Sequence, residues 1–238
     1  MNRKASYVYV AAALANLSDD ELSAIVEKPE QLKQFAGSLV TDIVANTYVV
    51  HLDDKDVPEQ YAAATASWRK YAASLGYTGP VAWQVKEGFT LKSHAPLAGP
   101  CYDKLNYLQE WELKGDEPTK NSIVFWVPRL AEGSTSKTIP QMEKLRGDLR
   151  QQHELPAHHA TSFGSVALLF ALILAHFKRT GERVPLKTFY AASDTFRADG
   201  IRLIAGYFDG SGLYCYYWSE GACDGIGFFL LGVEELGQ

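Results

Sequence analysis

The side chains best suited to chemistry in this sequence gather just upstream of its most apolar stretch. His153, His158 and His159 form the one histidine cluster. Ser162 and Ser165 then open the run Ser-Phe-Gly-Ser-Val-Ala-Leu-Leu-Phe-Ala-Leu-Ile-Leu-Ala-His-Phe. That run reads as a helix, and a helix start presents unpaired backbone N–H groups at the positive end of its dipole. With Ser162 as the cap, the His158 and His159 imidazoles stand beside those amides. Together with the Ser162 and Ser165 hydroxyls they would suit a phosphate or carboxylate, a small anionic ligand. The plainer reading is a polar linker with exposed histidines and a serine that only caps. A metal would need a third ligand such as Glu154 or Asp194, and His-x-x-x-x-His-His matches no known ligand spacing, so neither metal nor cofactor is expected.

Catalysis by these imidazoles would need a nucleophile beside them. Cys101 follows Gly99-Pro100 at a possible helix start, where a thiolate gains from the dipole, and it could meet His94, His158 or His159 in space. His158, His159 and Cys101 are therefore the catalytic candidates, although a buried free thiol is the commoner fate. Cys215 lies in an aromatic strand and reads as core, while Cys223 sits in an acidic turn without an evident partner. His51, Asp53, Asp54 and Asp56 have the composition of a hard-metal site without a calcium loop's spacing, and read as a solvated acidic loop. His176, inside the apolar run, reads as a core or boundary histidine bonding a carbonyl or complementing the dipole. Asp209-Gly-Ser-Gly212 lies between two strands and is a turn. No nucleophile elbow, phosphate loop, dinucleotide fingerprint or His-Glu-x-x-His is present.

A third candidate is aromatic. Tyr207, Phe208, Tyr214, Tyr216, Tyr217 and Trp218 crowd one hairpin, and strand neighbours point to opposite faces. Some must lie on the outer side, so Tyr207, Tyr214, Tyr216 and Trp218 form a candidate surface for a partner or flat ligand unless N-terminal helices cover them.

Composition narrows the classes. The 238 residues are 47% apolar and 21% charged, typical of a folded globular chain with a sizeable core. A net charge of −5 without any basic cluster longer than a pair argues against nucleic acid and anionic membrane partners. The three cysteines are odd in number and lack Cys-x-x-Cys spacing, which suits free thiols and a cytoplasmic location. The start of the chain is too polar for a signal peptide, and the apolar run covers about 22 Å at 1.5 Å per residue, too little to span a membrane.

The elements that must position these residues follow from periodicity. Residues 1–77 read as mostly helical, with capping boxes at Ser18 to Glu21 and Asp56 to Glu59 and a β-branched stretch near 47–52. Residues 78–130 read as mostly β, and 122–127 form the clearest strand, buried on both faces. Residues 138–180 are helical, opened by a capping box at Thr138 to Gln141. Residues 186–238 are mostly β, with a hairpin over 201–218 and a last strand over 225–233. The fold expected is α+β in a single domain. A mainly antiparallel sheet packs with helices around one central apolar helix at 162–180, with sheet on one side of that helix and N-terminal helices on the other.

The function expected is that of a non-catalytic ligand- or protein-binding protein of accessory or immunity type. The alternative is a hydrolase or transferase built on the histidine cluster, with a cysteine nucleophile or a metal.

Overall fold

A computed structural model of the chain describes residues 48–236. The helices expected within 7–44 and the capping box at Ser18 to Glu21 lie outside those residues. What is described is α+β, as expected, with two mainly antiparallel sheets, a number the sequence left open. The first sheet joins β1 (Val49–Leu52), β2 (Ala82–Val85), β4 (Ser122–Trp126) and β9 (Leu231–Glu235), in that order. The second runs β3 (Leu113–Lys114), β5 (Tyr190–Arg197), β6 (Arg202–Asp209) and β7 (Gly212–Trp218). A two-residue β8 (Ile226–Gly227) lies parallel to the start of β5.

Between the sheets lies the apolar helix. The helix α4 (Val166–Thr180) is preceded here by α1 (Ala62–Ser74), a single turn α2 (Ala95–Ala98) and α3 (Ile139–Gln152). Val166, Ala167 and every residue from Leu169 to His176 are buried. A helix apolar all round has to be covered all round. On one side stand Val49, Trp83, Val85, Val124 and Trp126 of the first sheet, on the other Ala191, Leu203, Ala205, Leu213 and Cys215 of the second. The side assigned from sequence to N-terminal helices is thus occupied by a second sheet. The helix starts at Val166 rather than 162, because Gly164 takes φ +75 and Ser165 supplies the cap, its Oγ accepting from Leu168 N at 3.1 Å. It ends where Gly181 adopts the left-handed conformation, with Lys178 and Arg179 in the last turn.

The outer face of the first sheet carries Ala82, Ile123 and Phe125, covered by α1 and α3. Helix α1 buries Ala64, Trp68, Tyr71 and Ala72, the spacing of one helical face, and Trp68 stacks on Phe125 at 6.1 Å. Helix α3 opens with the expected capping box, in which Thr138 N donates to the Gln141 side chain at 2.9 Å. Strand β4 is buried at every residue, as its unbroken apolar sequence implies. The last expected strand is in fact divided. Residues 226–227 pair with the second sheet and 231–235 with the first, so Phe228, Phe229 and Leu230 cross between them inside the core. Among the described residues no helix is long and apolar enough to cross a membrane.

His176 is neither a surface cap nor bonded to a carbonyl. It is 4% exposed, edge-on to Trp83 and Trp126. Burial pushes its imidazole down from 6.5 to about 4, and the charges of Arg129 and Arg179 act in the same direction. A depressed folded-state value means that the unfolded chain binds the proton first, so stability is full above pH 6.5 and is lost as pH falls towards 4. His176→Leu should remove that contribution. The stability gap between wild type and variant, from urea unfolding, should change by up to about 3 kcal/mol between pH 7.5 and 4. Parallel pH profiles for the two proteins would show that His176 is not held neutral by the fold.

Candidate functional site

The histidine cluster is a strut between three elements. After α3 the chain turns through Pro156 and His159, and Ala160 N donates to Leu231 O at 2.8 Å, tying the turn to β9. This places the His159 ring, fully buried, over the backbone of Gly232, where a Cβ would come within 2.5 Å of its Nδ1. Only glycine leaves room there. The indole Nε1 of Trp68 on α1 donates to His159 Nδ1 at 3.0 Å. Since an indole can only donate, Nδ1 accepts and the His159 proton sits on Nε2. That N–H donates to Glu234 Oε1 on β9 at 2.9 Å, and His158 Nε2 meets the same oxygen at 2.8 Å.

The electrostatics follow from this arrangement. Burial lowers the His159 pKa, with His158 adding to the effect and Glu234 opposing it. For Glu234 burial alone would raise the pKa, but hydrogen bonds and charge from the two imidazoles outweigh it and hold the carboxyl below its ordinary value. The ligand atoms of His158, His159 and Glu234 lie within 4.8 Å of one another, so distance alone would admit a metal ion. The proton arrangement opposes one. Freeing His159 Nε2 would move its proton to Nδ1, donor against donor with the Trp68 N–H.

The other members of the expected site lie apart. Ser162 is exposed and caps nothing, whereas Ser165 is the cap. The place of an anion at this helix start is already taken by Asp194, whose Oδ2 accepts from Phe163 N at 2.7 Å and Gly164 N at 3.2 Å. Thr195 Oγ1 accepts from Val166 N at 3.0 Å, and Arg202 balances Asp194 from 3.2 Å. The adjoining depression, about 330 Å³, is lined by Ser165, by the carboxylates of Glu117, Asp194 and Glu235 and by one cation, Lys120, which pairs with Glu235, and the excess of negative charge disfavours an anionic ligand. Cys101 sits in the core, its Sγ donating to Ala95 O at 3.4 Å, and burial pushes its thiol up to about 12. Among the described residues no hydroxyl or thiol is hydrogen-bonded to the His158 or His159 ring. His94 bonds instead to Thr90 and Tyr48, His153 packs on Tyr71, and Asp54 pairs with Arg69.

The aromatic hairpin borders a concavity, with different lining residues from those expected. Tyr190, Gly206 and Tyr214 are cross-strand neighbours on β5, β6 and β7. A Cβ on Gly206 would approach Phe189 O to 2.2 Å and Tyr190 Cα to 2.5 Å, so this position has to be glycine. Glycine thus lets β5 and β6 approach closely between two tyrosines. A register shift between Gly206 and Asp209 puts Tyr207 at φ +49 and swings its ring over Tyr190, centroids 4.9 Å apart. At Gly212 the absent Cβ lets the segment 100–102 cross closely, with Leu213 N donating to Pro100 O at 2.8 Å. That crossing brings Tyr102 to 4.7 Å from Tyr214, which lies 5.7 Å from Tyr216.

The result is a cleft of about 280 Å³ lined by five tyrosines together with Asp209, Ser211 and Gly212. Tyr207 is 45% exposed. The Asp209 carboxylate is held at the rim by Ser211 N at 2.8 Å. Burial raises the Tyr190 and Tyr214 hydroxyls above the ordinary phenol value, and neighbouring phenols add to the shift, so these rings are neutral at pH 7. Trp218 is corrected out of the surface. It is 6% exposed and packs with Ala192, Ile204 and Ile226 at the covered end of the same face, Nε1 donating to Gly221 O.

Glu234 and Trp68 in the strut, and Tyr102 and Tyr190 in the cleft, were not legible as site residues, because each comes from a segment remote in sequence from its partners.

The strut makes a specific prediction. Long-range ¹⁵N NMR at pH 7 should find His159 as the Nε2–H tautomer, unchanged by zinc, and zinc should leave the unfolding midpoint where it was. An Nδ1–H signal or a zinc-dependent rise in the midpoint would refute the proton arrangement. No protein-family model matches the chain, and no curated protein and no solved structure shows significant similarity to it, so the functional reading rests on this geometry.

Proposed function

We propose that this chain is a non-catalytic binding protein whose recognition surface is the tyrosine cleft of the second sheet. The observation that carries the reading is the convergence of three chain segments on one concavity. Five tyrosines line it together with one carboxylate, Asp209. Tyrosine offers large contact area at low conformational cost, and its exposure on a sheet face favours a partner or ligand that covers it. Tyr207 holds a backbone conformation uncommon for a non-glycine residue, and such outliers gather at functional positions.

The alternative, a hydrolase or transferase using His158, is favoured by one observation, the exposed imidazole oriented by Glu234. It lacks the rest of the machinery. His159 spends both ring nitrogens on Trp68 and Glu234, and the nearby Thr161 hydroxyl is bonded to the His158 carbonyl. Neither imidazole lines any of the more pronounced depressions of the described surface.

A fragment screen read by ring ¹H–¹³C spectra separates the two. Sugars, flat aromatics, short peptides and amines are added in turn, with tyrosine and histidine resonances followed together. The expected result is saturable shifts at Tyr190, Tyr214 and Tyr216 that Tyr214→Ala abolishes, with His158 unmoved. Shifts confined to His158, with the tyrosines silent, would overturn the binding reading in favour of the enzyme.

A further inference from the structure

Beside the cleft, on and around the second sheet, aromatic rings both exposed and buried lie under cations of the chain itself, among them exposed Tyr217 and buried Phe208. The guanidinium of Arg197 lies 5.1 Å from the ring centres of both Trp111 and Tyr217. Arg183 lies 5.2 Å from Phe177 and 5.5 Å from Phe208. Each pair of rings is thus covered by a cation of the chain itself. Over the five tyrosines of the cleft no such cation lies among the described residues, and no Lys, Arg, Asn or Gln lines it. What the cleft presents is five tyrosine rings and the negative charge of Asp209.

We infer that the cleft binds an organic cation of the alkylated-ammonium class, its charge held against the tyrosine faces and facing Asp209. This rests on the reading of the cleft as the recognition surface.

Several considerations select that class. Ring faces carry negative quadrupole density and attract cations within about 6 Å, and boxes of aromatic rings are the usual receptor for quaternary ammonium groups. A compact primary ammonium is strongly hydrated and pays heavily to enter a half-open cleft, whereas an alkylated one is large, weakly hydrated and brings methyl groups to the rings. An anion meets Asp209 and the ring faces with the wrong sign. A sugar would need several directional partners, and one carboxylate with one serine offers few. The volume of about 280 Å³ lies at the small end of ligand pockets, which fits a headgroup rather than an extended molecule. The net charge of −5 also favours the approach of a cation.

Calorimetric titration with choline and with tetramethylammonium, at constant ionic strength, tests the inference on the full chain. The control ligand is 3,3-dimethylbutan-1-ol, the neutral carbon analogue of choline. Both cations should bind saturably, and the neutral analogue roughly tenfold more weakly or less well still. Tyr214→Leu should weaken choline about two- to thirtyfold, while Tyr214→Phe keeps the ring and the affinity. Asp209→Asn retains an acceptor for Ser211 N and removes only the charge, and should also weaken choline. Tyr216→Leu, at an exposed position, repeats the ring test if Tyr214→Leu fails to fold. Equal binding of choline and its neutral analogue, or loss of binding in Tyr214→Phe as severe as in Tyr214→Leu, would overturn the cation assignment. Other fragments shifting the cleft tyrosines while both cations fail would do the same and leave the binding reading standing. Silence of the cleft towards cations and fragments alike would end both.

Discussion

The structure depends on one constraint, the burial of a helix that has no polar side. Helix α4 carries ten fully buried residues among fifteen, and nothing along its middle can face water. One sheet covers one flank of such a helix, so a second surface has to close over the other. That requirement explains why the β-rich segments of the chain assemble as two sheets. It also explains the path of the last segment. Having paired briefly with the second sheet at 226–227, the chain crosses through Phe228, Phe229 and Leu230 and finishes in the first sheet, linking the two covers of the helix covalently.

Both polar clusters owe their position to that arrangement. The histidine strut hangs on β9, the strand that the crossing delivers to the first sheet. Its single buried oxygen acceptor, Glu234 Oε1, serves two imidazoles while Trp68 fixes the proton of the inner one. A buried polar chain of this kind is stable only when every member is satisfied, and here the inner histidine has both nitrogens used. Such completeness is the mark of a structural device. A catalytic imidazole needs a nitrogen left for the substrate, and the strut leaves one only on His158, at the surface.

The architecture was legible in the sequence wherever one segment carried its own signal. The apolar run, the capping box at Thr138, the uninterrupted strand at 122–126 and the hairpin of β6 and β7 all stand where periodicity put them. What failed was information carried by pairs of distant segments. Ser162 looked like the cap because the apolar pattern reaches it, but Asp194 on β5 binds the Phe163 and Gly164 amides and turns the chain so that Ser165 caps instead. Cys101 stood at a possible helix start after Gly99-Pro100, and the segment that crosses closely at Gly212 carries it into the core, the commoner fate of a free thiol. Trp218 was one of four candidate contact residues of the hairpin, yet alternation alone could not reveal that one end of that face is covered and the other open.

That division of the outer face of the second sheet bears most directly on function. Ala192, Ile204 and Trp218 occupy the covered end and make it part of the core. At the other end Gly206 replaces a core side chain with nothing, and the bulge that follows turns Tyr207 outward in a conformation that costs energy. The Phe189 carbonyl lies where a Cβ on residue 206 would go, so the glycine and the bulge beyond it belong to one close approach of β5 and β6. The chain keeps a close strand approach at Gly206, a bulge at Tyr207 and a close crossing at Gly212 within one small area. Three backbone departures from a regular ladder fall side by side, and what they jointly create is a concave tyrosine surface bearing one carboxylate.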